Sequence, residues 1–100
     1  MTIKIGSYNF EGPFGNTGAL RNESGVYAIL GSNGPGEHIV LDIGESATLR
    51  DRVARHDRQD QWRQCGYRGL SVAVCYTNAM TRMFMERELR DSFKPRCGVR

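Results

Sequence analysis

The sequence predicts an α+β domain built on a small three-stranded antiparallel β-sheet flanked by helices, and three observations predict it. Two β-branched, apolar runs, Gly25-Val26-Tyr27-Ala28-Ile29-Leu30 and Ile39-Val40-Leu41-Asp42-Ile43, are separated by the turn-rich stretch Gly31-Ser32-Asn33-Gly34-Pro35-Gly36-Glu37-His38, which reverses the chain into an antiparallel hairpin. A third run, Leu70-Ser71-Val72-Ala73-Val74-Cys75-Tyr76, alternates as a strand does. Met85, Leu89 and Phe93 recur every fourth residue, the spacing of an amphipathic helix.

Taken in order, residues 1–22 are punctuated by Gly6, Gly12, Pro13, Gly15 and Gly18. They hold only short extended pieces, around 3–5 and 8–10, that can add a strand or an edge to the sheet. Gly44 ends the second strand of the hairpin, and Ser46 is placed to cap a helix over 47–56, where Leu49 and Val53 lie one turn apart. Arg52 and His56 flank that apolar stripe. Residues 57–69 are polar and aperiodic, a loop with a short helical turn near Trp62. The last helix runs over 81–93, and Pro95 and Gly98 stop it.

A chain of 100 residues with 39% hydrophobic and 25% charged side chains has the composition of one ordered domain and is too short for two cores. Its longest apolar runs are strand-sized, far below the ~20 residues a membrane helix needs. The start, Met1-Thr2-Ile3-Lys4-Ile5, leads into polar residues without the apolar stretch of a secretory signal, so the expected location is cytoplasmic. Cys65, Cys75 and Cys97 are an odd number without CxxC spacing. That argues against a disulfide framework or a zinc knuckle and leaves free thiols as the expectation. The glycines at 31–36 lack the Lys-Ser/Thr ending of a phosphate loop, so NTPase chemistry is not supported.

The net charge of +3 conceals a division, since residues 1–49 carry a net −3 (two basic, five acidic) and residues 50–100 a net +6 (twelve basic, six acidic). Of the fourteen basic residues twelve are Arg, whose rigid fork matches phosphate oxygens. A polyanionic partner fits this pattern, and so does an Arg-rich genome that supplies Arg where others use Lys.

Gly25-Val26-Tyr27 on the first strand of the hairpin, Asp42-Ile43-Gly44 ending the second, Arg52 eight residues past Gly44, His56, and Glu86 nine residues before Pro95 together resemble the GIY-YIG nuclease domain. The resemblance spans residues 24–98 and makes 1–100 a single GIY-YIG-like domain with 1–23 as an N-terminal extension. It implies an endonuclease that hydrolyses nucleic-acid phosphodiesters with Mg2+ or Mn2+. In that family the tyrosine matched by Tyr27 helps deprotonate the attacking water. Arg52, His56 and Glu86 match the residues tied to phosphate stabilisation, site hydrogen bonding and metal coordination. The sequence departs from the pattern at three places: Asp42 replaces the second motif's tyrosine, Gly98 stands where many members have asparagine, and Glu45 occupies a position that is often basic.

The chemistry calls for these residue types. Phosphodiester hydrolysis builds negative charge on the phosphoryl and leaving oxygens, which a fixed guanidinium and a hard divalent cation stabilise most in the transition state. Magnesium keeps several waters, so one carboxylate such as Glu86 plus the scissile phosphate can hold it. Tyrosine ionises near pH 10 in water, at about that value, so Tyr27 works as a base only if its proton is drawn away; His56, one turn past Arg52, is placed to accept or relay it.

Plainer roles exist for each residue. Tyr27 can be a strand aromatic, Arg52 and His56 a solvated helix flank, and Glu86 a helix-face partner of Arg82 or Arg90. Asp is disfavoured in strands, so Asp42 is a second metal-directed carboxylate, a partner that holds Arg52, or the mark of lost catalysis. Trp62 and Tyr67, interleaved with Arg58, Arg63 and Arg68, can stack bases or plug one end of the core. The expected partner is nucleic acid, DNA foremost, with Arg50, Arg55, Arg58 and Arg63 on phosphates and no membrane; a homodimer or larger protein partner would add specificity. The alternatives are a catalytically degenerate nucleic-acid-binding module of the same fold and a protein-interaction domain.

Overall fold

The computed structural model describes residues 1–57 and 59–94. It is an α+β domain, as the sequence predicts, with strands β1 (Thr2–Ile5), β2 (Tyr8–Phe14), β3 (Gly25–Ser32), β4 (Ile39–Ser46) and β5 (Gly69–Tyr76) and helices α1 (Leu49–Ala54), α2 (Gln59–Gln64) and α3 (Ala79–Phe93). The sheet is antiparallel throughout, in the order β1-β2-β5-β3-β4. The expected three strands, β3, β4 and β5, lie side by side at one end of it. Two more come from the glycine-punctuated N-terminus, where Gly6, at φ +61, makes a two-residue turn that pairs Ile5 with Tyr8. β2 then docks on β5, with Glu11 opposite Val74.

β3 lies between β4 and β5 and is buried on both faces, which is why it reads as a continuous apolar run. Its side chains alternate between two cores. Tyr27 and Ile29 pack with Leu41, Leu49, Val53, Trp62, Val72 and Val74 under α1 and α2. Val26, Ala28 and Leu30 pack with Ile43, Ala73, Met85 and Leu89 under α3, together with Ile5 and Phe10 from the N-terminal hairpin.

β4 carries a bulge. Ile29 pairs with Asp42 and Leu30 with Val40, so Leu41 is the extra residue. Register therefore puts Asp42 opposite Ile29, on the α1–α2 face, although Leu41 beside it already packs there. β4 is also the open edge of the sheet, within reach of side chains from both layers.

The first helix is shorter than the expected 47–56 and is not capped by Ser46, whose hydroxyl accepts from the Thr48 amide instead. The free amides at the α1 N-terminus are met by the segment before β3: Leu49 N–H donates to the Glu23 carbonyl and Asp51 N–H to Asn22 Oδ1. The helical turn expected near Trp62 is α2. The periodic run 81–93 is α3, which begins two residues earlier because Asn78 caps it, accepting from Thr81 N–H at 2.9 Å. Pro95 and Gly98, expected to stop this helix, lie outside the described residues; α3 ends at Lys94 in a left-handed C-cap. Cys65 is disulfide-bonded and Cys75 is a free thiol. For Cys65 this corrects the expectation of a free thiol; Cys97 lies outside the described residues. Among the described residues no helix is long and apolar enough to cross a membrane.

Candidate active site

Tyr27 is 1% exposed in the middle of β3, directly opposite Gly44 of β4. Its ring lies across β4 in the space that a side chain at residue 44 would take, and this close approach is what requires the second motif's glycine. The ring thus reaches over the neighbouring strand, and its hydroxyl meets Nε2 of His56 at 2.5 Å, with the two rings edge to face.

His56 follows α1 and is 4% exposed. Its other ring nitrogen, Nδ1, lies 3.2 Å from Oδ1 of Asp57. An ionised carboxylate only accepts, so Nδ1 carries a proton, and in the neutral ring Nε2 then presents its lone pair to the Tyr27 O–H. The result is a Tyr–His–Asp line ordered like the base and orienter of a hydrolytic triad. Sequence reasoning missed Asp57; its signal was a carboxylate immediately after the candidate histidine. Asp57 also accepts from Arg52 Nη2 at 3.4 Å, which places the exposed guanidinium at the Asp57 end of this line.

Glu86 arrives from the other layer. It sits on α3 with its carboxylate 4.0 Å from Nε of Arg90 and its side chain 22% exposed. Arg90 is buried, and its Nη1 donates to Asp42 Oδ1 at 3.1 Å and to the Ile43 carbonyl. Both halves of the site therefore meet at residues 42–44 of the edge strand: Tyr27 over Gly44, and Arg90 on Asp42 and Ile43. Asp42 pairs with Arg90 and Trp62, whereas the Arg52 guanidinium reaches Asp57. The pairing with Glu86 as well makes Arg90 the helix-face partner expected from the spacing.

Glu45, acidic where the family is often basic, receives Arg82 Nε at 2.7 Å, and Arg82 Nη1 reaches Ser24 Oγ at 2.8 Å. The charge at that position is thus matched within the fold. Trp62 is 5% exposed and belongs to the core, with Tyr67 packed against it, so these aromatics plug the core and are not laid out as stacking platforms. Arg50, Arg52, Arg55 and Arg63 are exposed on the α1–α2 side, Arg63 with Asp60 at 2.9 Å; Arg58 lies outside the described residues. His38 is exposed in its loop. Among the described residues no group of three or more His, Cys, Asp or Glu is clustered as a metal cage. Glu86, a partly exposed carboxylate, fits a cation that draws most of its ligands from water and substrate.

An antiparallel sheet with helices on both faces defines a fold that solved structures share. The chain superposes on the GIY-YIG N-terminal endonuclease domain of UvrC from Thermotoga maritima. Against a point mutant bound to its catalytic divalent cation the TM-score is 0.58 at 21% identity, covering 82% of this chain and 89% of that one. Against the same domain with magnesium as its catalytic cation the TM-score is 0.58 at 20% identity, covering 81% and 89%. In fold, the chain is a GIY-YIG-like domain. No protein-family model matches the sequence, and no curated relative matches it.

Proposed function

We propose that this domain is a metal-dependent endonuclease that hydrolyses phosphodiester bonds of nucleic acid, with DNA the first substrate to test. The observation that carries this reading is the buried Tyr27–His56 contact at 2.5 Å, backed by Asp57 at 3.2 Å. A tyrosine hydroxyl is a poor base in water, but one that hands its proton to an oriented imidazole can take a proton from a water in turn. Asp57 stabilises the imidazolium that results and holds the ring in the productive tautomer. Arg52, exposed beside Asp57, binds the phosphoryl oxygens as charge grows on them. Glu86 would hold Mg2+ or Mn2+, which when bound supplies electrostatic stabilisation of the phosphoryl and leaving oxygens. The exposed arginines Arg50, Arg55 and Arg63, with Arg58, supply the sequence-independent attraction to the backbone.

One observation favours a second reading, a nucleic-acid-binding module without catalysis: the second motif's tyrosine is replaced by Asp42, whose charge is matched by Arg90 within the fold. Incubating the purified chain with single-stranded, duplex and branched DNA and with RNA, each with and without Mg2+, separates the two. Cation-dependent cleavage supports the enzyme; retention without cleavage in folded protein supports the module.

A further inference from the structure

Asp42 has no exposed surface, and a carboxylate in that position is stable only if its oxygens are met by donors and its charge is matched. Both oxygens are met. Oδ1 accepts from the Ile43 amide at 2.8 Å and from Arg90 Nη1 at 3.1 Å, and Oδ2 accepts from Nε1 of Trp62 at 2.8 Å. Trp62 sits on α2, a six-residue helix too short to be rigid on its own, so the bond from its indole to Asp42 ties that helix to β4. The same indole packs against the imidazole of His56, ring centroids 4.7 Å apart at 43°. A continuous line of contacts therefore runs Glu86–Arg90–Asp42–Trp62–His56–Tyr27, from one layer of the site to the other around the edge strand.

We propose that Asp42 is a positioning residue: with Arg90 it fixes the Trp62 indole, which presses His56 into line with the Tyr27 hydroxyl. This rests on the hydrolytic reading above for its catalytic consequence, but not for its structural one. The residue that breaks the family pattern thereby supports the neighbouring histidine through a buried ion pair, and its oxygens are committed to donors instead of a cation. Arg90 gives the device a second function, because its Nε side faces Glu86 while its Nη1 faces Asp42, so one guanidinium orients both the candidate cation carboxylate and the support of the candidate base.

The test uses the isotope-labelled full chain with two variants. Trp62→Phe keeps a ring in the core and leaves the Asp42–Arg90 pair intact while removing the indole N–H; Asp42→Asn weakens the support itself. NMR of the His56 ring nitrogens and the Tyr27 hydroxyl proton reports the geometry without any need for turnover. The wild type should show one tautomer, protonated on Nδ1, and a Tyr27 hydroxyl proton protected from solvent exchange. Trp62→Phe should lose that protection and mix the two tautomers in a chain whose amide spectrum remains folded. Asp42→Asn should do the same, with faster local rotation of Trp62, the one tryptophan of the chain, in fluorescence anisotropy decay. Should Asp42→Asn fail to fold, Trp62→Phe decides alone. An unchanged His56 tautomer and Tyr27 proton in folded Trp62→Phe overturns the proposal. In a cleavage assay both variants should lose about 10–100-fold in kcat with KM kept, the usual cost of removing an outer support. A wild type that does not cleave defeats the hydrolytic reading while the NMR result still decides the role of Asp42.

Discussion

The ring of Tyr27 occupies the space above Gly44 that any other residue would need for its own side chain: a Cβ there would collide with Cε2, Cζ and Oη. This one packing relation explains why a glycine sits opposite the tyrosine, and how a side chain from β3 crosses its neighbour to reach His56. Gly44→Ala should push the ring aside, break the Tyr27–His56 hydrogen bond and lose about 1–3 kcal/mol of stability, the range for overpacking a tight core. Chemical denaturation measures the stability, and the exchange rate of the Tyr27 hydroxyl proton measures the bond.

The Asp42–Arg90 pair should behave as a buried ion pair. Asp42→Asn, or Asp42→Tyr, leaves the Arg90 guanidinium buried without its carboxylate and should cost about 3–5 kcal/mol in denaturant unfolding. Replacing both partners by apolar residues, Asp42→Leu with Arg90→Met, should cost less than the single changes add up to, since no charge is then stranded. Additive losses would show that the two side chains act independently.

Burial raises the Cys75 thiol above its ordinary value, and the charge of Glu11 adds to the effect. The folded chain therefore holds the thiol proton more tightly than the unfolded chain. The stability this represents is full below the unfolded thiol value of about 8.5 and is lost as pH rises through the folded one. Cys75→Ser should flatten this alkaline loss, followed by denaturant midpoints across pH 7 to 10, a range set by about that unfolded value. A thiol reagent should also label Cys75 more slowly in the folded chain than in the denatured one.

If the exposed arginines on the α1–α2 side contact phosphates, log K for duplex should fall with log salt at a slope of about −0.9 per phosphate neutralised. Arg50→Ala, Arg55→Ala and Arg63→Ala should each flatten the slope by roughly one contact, with Arg63 the smallest because Asp60 competes for it. Filter binding over a salt series gives the slopes; binding indifferent to salt would remove these residues from the interface.

Much of this was legible in the sequence, for physical reasons that differ residue by residue. β3 and α3 announce themselves because burial on two faces writes an unbroken apolar run and burial on one face writes a four-residue repeat. Tyr27, Arg52, His56 and Glu86 stood out as candidates only through the resemblance to the GIY-YIG pattern, since each taken alone has a plain structural role. The N-terminal strands were legible only as short extended pieces, since Gly12 and Pro13 interrupt the pattern of β2. Asp42 could not be paired from sequence, because its partners lie on elements 20 and 48 residues away and because the bulge at Leu41 changes the face a simple alternation assigns. Asp57 was passed over as part of a polar loop, where a carboxylate next to His56 is chemically informative only once the ring is seen to turn its Nδ1 that way.

The nicking rate of supercoiled DNA with Mg2+, compared among wild type, Tyr27→Phe and Glu86→Gln, bears most directly on the proposed hydrolysis. Wild type should nick only when the cation is present. Tyr27→Phe, which keeps the ring and removes the hydroxyl that meets His56, should lose about 10²–10⁴-fold, the range for a proton-transfer group. Glu86→Gln should lose both the rate and the calorimetric cation affinity. Equal rates in wild type and Tyr27→Phe, or no nicking by any of the three in folded protein, would contradict a hydrolytic role for the Tyr27–His56 pair.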